Sequence, residues 1–303
     1  MLINVIHVSF KRGRRKLSGG LECLRQPNPH EWASSSTDLP YEGCRVFENV
    51  RLTVPPPLQP FLHKLQRFAP LTEREAQALF EAAGEVRRVD AADDVVREGS
   101  QPDACHVLLD GFIAHHKSLA ADKRQIIAFG IPGDTCDLDA FVGGRMDHSV
   151  VALMPSTLAV IPHDALLAVT AAHPRLARAL WRETVLDASI FAEWVANIGR
   201  RSAPVRVAHL VCETFTRLQQ AGLARARGFE WPVTQKQLGD ATGLTPVHIN
   251  RVLRDLRKDG LLTIHGSSVR IDDWEGLKRL SGFDPSYLNP RRDHLERGSR
   301  RNP

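Results

Sequence analysis

The stretch FEWPVTQKQLGDATGLTPVHINRVLRDLRKDGLLTIHGSSVRIDDW, Phe229 to Trp274, decides how the whole chain is read. Thr234 stands as the N-cap of a first helix, because a threonine hydroxyl accepts from the unpaired amides of a helix start. Thr242-Gly243-Leu244 is a turn, and Thr245 caps a second helix with Pro246 at its first position, where a missing N–H costs nothing. Gly260 stops that helix, and two strand-like runs flank His265-Gly266-Ser267. Helix, tight turn, helix and hairpin in this order predict a winged helix-turn-helix. In the second helix Ile249, Val252, Leu253 and Leu256 recur at helical spacing and are predicted to face inward. That leaves Val247, His248, Asn250, Arg251 and Arg254 outward. A DNA major groove admits an α-helix and offers acceptor pairs to Arg, donor–acceptor pairs to Asn and a thymine methyl to Val. Thr234, Gln235, Thr245 and His265 complete the candidate DNA-binding set.

Outside this stretch the charge is uneven. Lys and Arg outnumber Asp and Glu by 12 to 8 over residues 204–283 and by 5 to 3 in the tail, whereas residues 61–203 carry 15 against 19. An acidic body joined to a basic module fits a sensor attached to a polyanion-binding domain. With 43% hydrophobic residues in 303, the chain has apolar material for two domains. No apolar run approaches the roughly 20 residues of a membrane helix, and the basic cluster of MLINVIHVSFKRGRRK follows its apolar segment, the reverse of an export signal. A cytoplasmic location without membrane contact is the expectation. Cys23, Cys44, Cys105, Cys136 and Cys212 are odd in number and lack CxxC spacing, so no disulfide framework or zinc site is expected and the thiols read as reduced.

Residues 1–57 lack periodicity and end in TVPPPLQP, which no helix or central strand contains. This segment is either a disordered extension or the product of an upstream start, with translation beginning near Val50, Leu52 or Val54. FLHKLQRFAPLTEREAQALFEAAG predicts two short helices, the second capped by Thr72 with Glu75 three residues on. From Val86 to Pro162 short β-type runs alternate with Gly, Pro and Asp, which predicts an antiparallel β-roll, so that 58–172 reads as a sensor domain. Over 173–200 a long helix carries apolar residues on more than one face. One face is expected on the β-roll and the other on a symmetry mate through Leu180, Phe191, Trp194 and Ile198; a larger monomer core is the alternative. GRRSAP (199–204) reads as a hinge, 204–283 as the winged helix-turn-helix domain, and 284–303 as a basic disordered tail.

Four runs in this order, DACHVLLDGFIAHH, IIAFGIPGD, the long helix and QKQLGDATGLTPVHINRVLRDLRKDGLL, make Phe61–Phe283 resemble the Crp/Fnr superfamily of bacterial transcription regulators. The resemblance implies an α+β chain: a cyclic-nucleotide-binding-type β-roll, a dimerisation helix and a C-terminal winged helix-turn-helix. It also implies a homodimer on palindromic promoter DNA, with RNA polymerase as a further partner. The effector pocket would then comprise Gly133, Asp134, Asp137, Arg145, His148 and Ser149. In members that bind cyclic AMP a Glu meets the ribose and an Arg-Ser pair the phosphate; here Asp147-His148-Ser149 stands at the pair, and a carboxylate there repels an anion. Cyclic AMP is therefore not expected. Cysteine placement fits no iron–sulfur cluster. Cys105-His106 and His115-His116 are adjacent pairs on strands, each supplying at most one ligand to a pocket, so haem is not indicated and these read as core cysteine and surface histidine. A small molecule, redox chemistry at Cys105 or Cys136, and no effector at all stay open. No catalytic constellation appears, so an enzyme is not expected. The rival to a DNA-binding regulator is a ligand- or redox-sensing module whose C-terminal domain contacts protein.

Overall fold

A computed structural model describes residues 58–119 and 123–288; the extension 1–57 and the tail beyond 288 lie outside the described residues. Helices α1 (Gln59–Phe68) and α2 (Glu73–Ala82) come first. Thr72 Oγ1 accepts from Glu75 N while the Glu75 carboxylate accepts from Thr72 N, so the start of α2 is closed by a reciprocal capping box.

Seven strands follow: β1 (Glu85–Val89), β2 (Asp94–Val96), β3 (Ala104–Asp110), β4 (Ile113–Ser118), β5 (Arg124–Gly130), β6 (Ser149–Ala152) and β7 (Ser156–Pro162). They form two antiparallel sheets, ordered β1-β7-β3 and β2-β6-β4-β5. Val89, Leu108, Ile113, Met146, Val150 and Leu158 cluster as the interior of this β-roll. At the β3–β4 turn Gly111 has φ +110°, and a Cβ there would lie 2.2 Å from Ser156 Oγ, so no side chain fits. The short helix α3 (Leu138–Gly143) lies between β5 and β6, within the span whose sequence reads as short β-type runs. It is stopped by Gly144 in the left-handed region.

Helix α4 (His163–Ala172) leads into α5 (Pro174–Arg200) and α6 (Ala203–Gln220). Leu176, Leu180, Leu186, Ile190 and Trp194 form the buried side of α5. This corrects the expected dimer face. Trp194 meets Phe129 of β5 edge-on at 5.4 Å between ring centres and donates its indole N–H to Glu213 of α6 at 3.0 Å. Leu180 is likewise inside the protomer, while Phe191 and Ile198 are half-buried. A helix with two apolar faces does not announce which one packs at home: Trp194 went to the core and Trp181 to the surface. The large apolar residues left exposed on α5 are Trp181, Val185 and Val195. At the α5–α6 corner Asn197 donates to Arg206 O and Arg206 donates to Arg201 O, which fixes the turn.

The C-terminal part comprises β8 (Gly228–Glu230), α7 (Gln235–Thr242), α8 (Pro246–Lys258), β9 (Leu262–His265), β10 (Ser268–Ile271) and α9 (Trp274–Ser281), with a sheet ordered β8-β10-β9. Gly239 sits where α7 meets the turn. A Cβ on it would lie 2.5 Å from Leu244 O, so glycine sets how closely the two helices are joined. The tail reading for 284–303 fails at its first residues. Pro285–Leu288 forms a 3-10 turn, Tyr287 donates to Glu213 at 2.7 Å, and Leu288 is buried with Arg67 on its carbonyl. Two apolar anchors outweigh the proline and the charges around them.

Candidate nucleic-acid interface and sensor interior

The start of α8 is built by three local choices: Thr245 Oγ1 accepts from His248 N, Pro246 opens the helix, and Ile249, Val252 and Leu256 hold it to the core. Leu253 is half-buried against the same core. Val247, Asn250, Arg251 and Arg254 are exposed, Val247 at 72%, and His248 is half-exposed. Among the described residues nothing pairs with Arg251. Thr234 opens α7 with a capping box to Gln237, and Gln235 beside it reaches across to α8. The Gln235 and Asn250 amides bond reciprocally, Asn250 Nδ2 to Gln235 Oε1 at 2.6 Å and Gln235 Nε2 to Asn250 Oδ1 at 3.2 Å. Two amides that can each read an adenine edge are thus aligned before any ligand arrives. His265 stands exposed at the wing tip next to Gly266. Of the nine candidate residues, eight are exposed and His248 is half-exposed.

The six candidate effector residues each have their own neighbours in the sensor. Gly133, with φ +98°, packs its backbone on Pro60, where a Cβ would lie 2.8 Å from the carbonyl. Asp137 is buried and accepts from both the amide and the ring Nδ1 of His106, each at 2.7 Å. Ser149 Oγ accepts from Glu98 N, and Arg145 lies beside Gly99. The His148 ring meets the His115 ring at a tilt and its Nδ1 lies 2.6 Å from Asp147. Each of these groups is thus held by a neighbour outside the candidate set. The histidines expected at the surface are also inside: His106 and His116 are buried and His115 is half-buried. A register shift between His115 and His116 interrupts the alternation from which opposite faces were inferred. Cys105 and Cys136 are both buried, and burial foremost, with Asp137 adding, pushes their thiols up. Thiols held protonated in a core are poor nucleophiles, which speaks against redox chemistry there.

Asp134 instead sits at an ion junction that joins three parts of the chain. It accepts from Ile131 N, pairs with Lys64 of α1 at 2.6 Å and with Arg217 of α6 at 2.5 Å. Lys64 also pairs with Glu183 of α5, and Arg217 donates to Phe129 O at 2.8 Å. Burial alone would raise the Asp134 carboxyl, but the Lys64 and Arg217 charges outweigh it and hold the group below its ordinary range. Burial raises Glu183, against Lys64. The cavity beside the junction measures about 20 Å³, far below the ~300–1,000 Å³ of small-molecule pockets. A second contact docks the reading head on the sensor: Arg124 pairs with Asp240 at 2.9 Å, and the Gln125 amide donates to Asp240 O at 2.7 Å. Sequence reasoning missed Lys64, Glu183, Arg217 and Glu213. The available signal was a charge at a core position: Glu183 falls between Leu180 and Leu186 on the apolar side of α5, and Arg217 continues the buried side of α6.

Known proteins give the same assignment. A family model described as a cyclic nucleotide-binding domain matches residues 86–173, and one described as a Crp-like helix-turn-helix domain matches residues 205–280. The Anaerobic regulatory protein of Pasteurella multocida (strain Pm70) is 25% identical over 212 residues, 70% of this chain and 77% of that protein. The Fumarate and nitrate reduction regulatory protein of Vibrio cholerae serotype O1 is 24% identical over 212 residues, 70% and 84% of the two chains. The structure of FixK2 from Bradyrhizobium japonicum shares the fold with a TM-score of 0.58 at 23% identity, covering 65% of this chain and 96% of that one. CooA from Carboxydothermus hydrogenoformans does so with a TM-score of 0.54 at 14% identity, over 65% and 87%. Among the described residues no helix is long and apolar enough to cross a membrane. With a β-roll, a long central helix and a winged helix-turn-helix in the order these relatives share, the chain belongs to the Crp/Fnr superfamily of bacterial transcription regulators.

Proposed function

We propose that this regulator works as a homodimer that inserts two copies of α8 into the major groove of an inverted repeat, with Arg251 and Asn250 reading bases. The observation that carries this reading is the exposed, unpaired Arg251 on a helix whose start is locked by Thr245 and Pro246. Recognition helices of this class present their first turns to base edges. Val247 offers a methyl surface to thymine and cannot accept from cytosine. Thr234, Gln235, Thr245, His248, Arg254 and His265 flank these readers and are assigned to backbone or wing contacts. RNA polymerase is the further partner that such a regulator engages.

The dimer seam is assigned to the exposed side of α5. Trp181, Val185, Ala188, Ala192 and Val195 follow one another at steps of four and three, the spacing of a two-helix seam. The sensor is assigned an effector other than a cyclic nucleotide, since Asp147 and His148 stand where an anion would need cationic donors. Selection of bound sequences from a random duplex pool, paired with sedimentation, tests the whole reading. Wild type should sediment at about twice 33.7 kDa and recover an inverted repeat with half-site centres about one helical turn apart. Trp181→Glu combined with Val195→Glu should sediment as a monomer and lose the repeat. Absence of salt-sensitive binding to any duplex would overturn the DNA reading in favour of protein contacts.

A further inference from the structure

One group of side chains lies outside both the recognition face and the ion junction. Asp139 of α3 and Asp147 and His148 ahead of β6 each offer one ligand-type atom, and these atoms all lie within 4.8 Å of one another. His148 Nδ1 is 2.6 Å from Asp147 and 3.8 Å from Asp139. The imidazole is nearly buried, whereas the Asp139 and Asp147 side chains are 49% and 82% exposed, so the group opens to solvent on its carboxylate side.

Behind it the other ring nitrogen of His148, Nε2, lies 2.9 Å from His115 Nδ1. A metal-binding imidazole characteristically uses one nitrogen as ligand and gives its other N–H to a second group that fixes the tautomer. His115 suits that role, its Nδ1 standing within hydrogen-bond reach of that second nitrogen. Both rings lean on Phe191 of α5, at 6.5 and 6.3 Å between centres, which limits their rotation. The neighbouring Lys117 is engaged by Glu98 at 2.7 Å and by the Asp147 carbonyl, not by the carboxylates.

We propose that Asp139, Asp147 and His148 bind a divalent first-row transition-metal ion of the Zn²⁺ class, with His115 as a positioning residue. One imidazole and two carboxylates form a mixed nitrogen–oxygen set that suits such ions better than Mg²⁺ or Ca²⁺, which prefer oxygen alone, and it leaves further positions for water. The site occupies the stretch where the Arg-Ser pair of cyclic-AMP-binding members would stand. Replacing that pair by carboxylates and an imidazole reverses the sign of the ligand attracted.

The test uses full-length protein stripped with a chelator and dialysed, titrated with Zn²⁺ by calorimetry and with Co²⁺ by absorption. Asp139→Asn combined with Asp147→Asn changes only exposed groups and should bind one ion fewer per chain than wild type, with an unaltered circular dichroism spectrum. His115→Gln should keep the stoichiometry and bind 10–100-fold more weakly. Bound Co²⁺ lost with the double variant should show ligand-field bands without thiolate charge transfer. Equal uptake by wild type and the double variant, no uptake by wild type, or displacement of Zn²⁺ by equimolar Mg²⁺ would each overturn the proposal. No DNA enters the assay, so the outcome is independent of the DNA reading.

Discussion

Arg251 and Arg217 sit on helices of the same C-terminal half, and their surroundings are opposite. Arg217 is 9% exposed, with one nitrogen on Phe129 O and another on Asp134, so its charge is held inside the molecule. Arg251 projects from α8 into solvent with no partner among the described residues. A buried ion that loses its partner leaves an uncompensated charge in a poor dielectric, whereas an exposed one loses little. The junction around Asp134 should therefore govern whether the fold survives, and the face around Arg251 should govern what the fold binds.

The largest effect expected on this division comes from Asp134→Asn, which removes the carboxylate that Lys64 and Arg217 share and leaves Lys64 to Glu183. Urea denaturation should show a loss of about 3–5 kcal/mol, while any folded fraction keeps its choice of DNA sequence. A loss below about 1 kcal/mol would mean that water reaches the junction and that the contrast is false. Arg251→Ala should do the reverse. It should cost about 1–3 kcal/mol in affinity and relax discrimination at one base pair per half-site, with the denaturation midpoint in place. Recovery of the same repeat undiminished would show that this arginine reads no base.

A smaller effect sharpens the buried side. His209 of α6 is enclosed beside Phe283 and Tyr287; burial first and the Arg201 charge second push its pKa down to about 4, with Glu193 opposing. The unfolded chain takes up that proton near pH 6.5, so the folded state forgoes it over the interval between. Stability present above pH 6.5 is then lost as pH falls toward 4, at about 1.4 kcal/mol per pH unit. His209→Gln should flatten the stability profile by that one proton in that window; an unchanged slope would place His209 in a wetter environment than the core.

The same division explains what could be read in advance. Thr234, Thr245, Pro246 and Gly260 act through their own backbone and nearest neighbours, so the helix-turn-helix was legible from residue order. So was the capping box of Thr72 and Glu75. Asp134, Lys64, Glu183 and Arg217 meet only after the chain has folded back over 70 to 119 positions, and no periodicity reports such a meeting. Leu180 and Trp194 failed for a related reason: spacing identified them as apolar but left open which of two partners, the β-roll or a second chain, would cover them. Asp137 and His106 were both singled out, yet their bond to each other depends on a loop path that local sequence does not encode.

The clasp between Gln235 and Asn250 bears on how the half-site preference of this protein can be redesigned. Each amide gives the other one donor and one acceptor, so replacing one residue both removes a possible base contact and takes a partner from the amide opposite. Libraries that vary position 250 alone will score most replacements as failures for a reason unrelated to the base being sought. Randomising 235 and 250 jointly, and treating the two as a single letter of the recognition code, should uncover preferences that single-site scans hide.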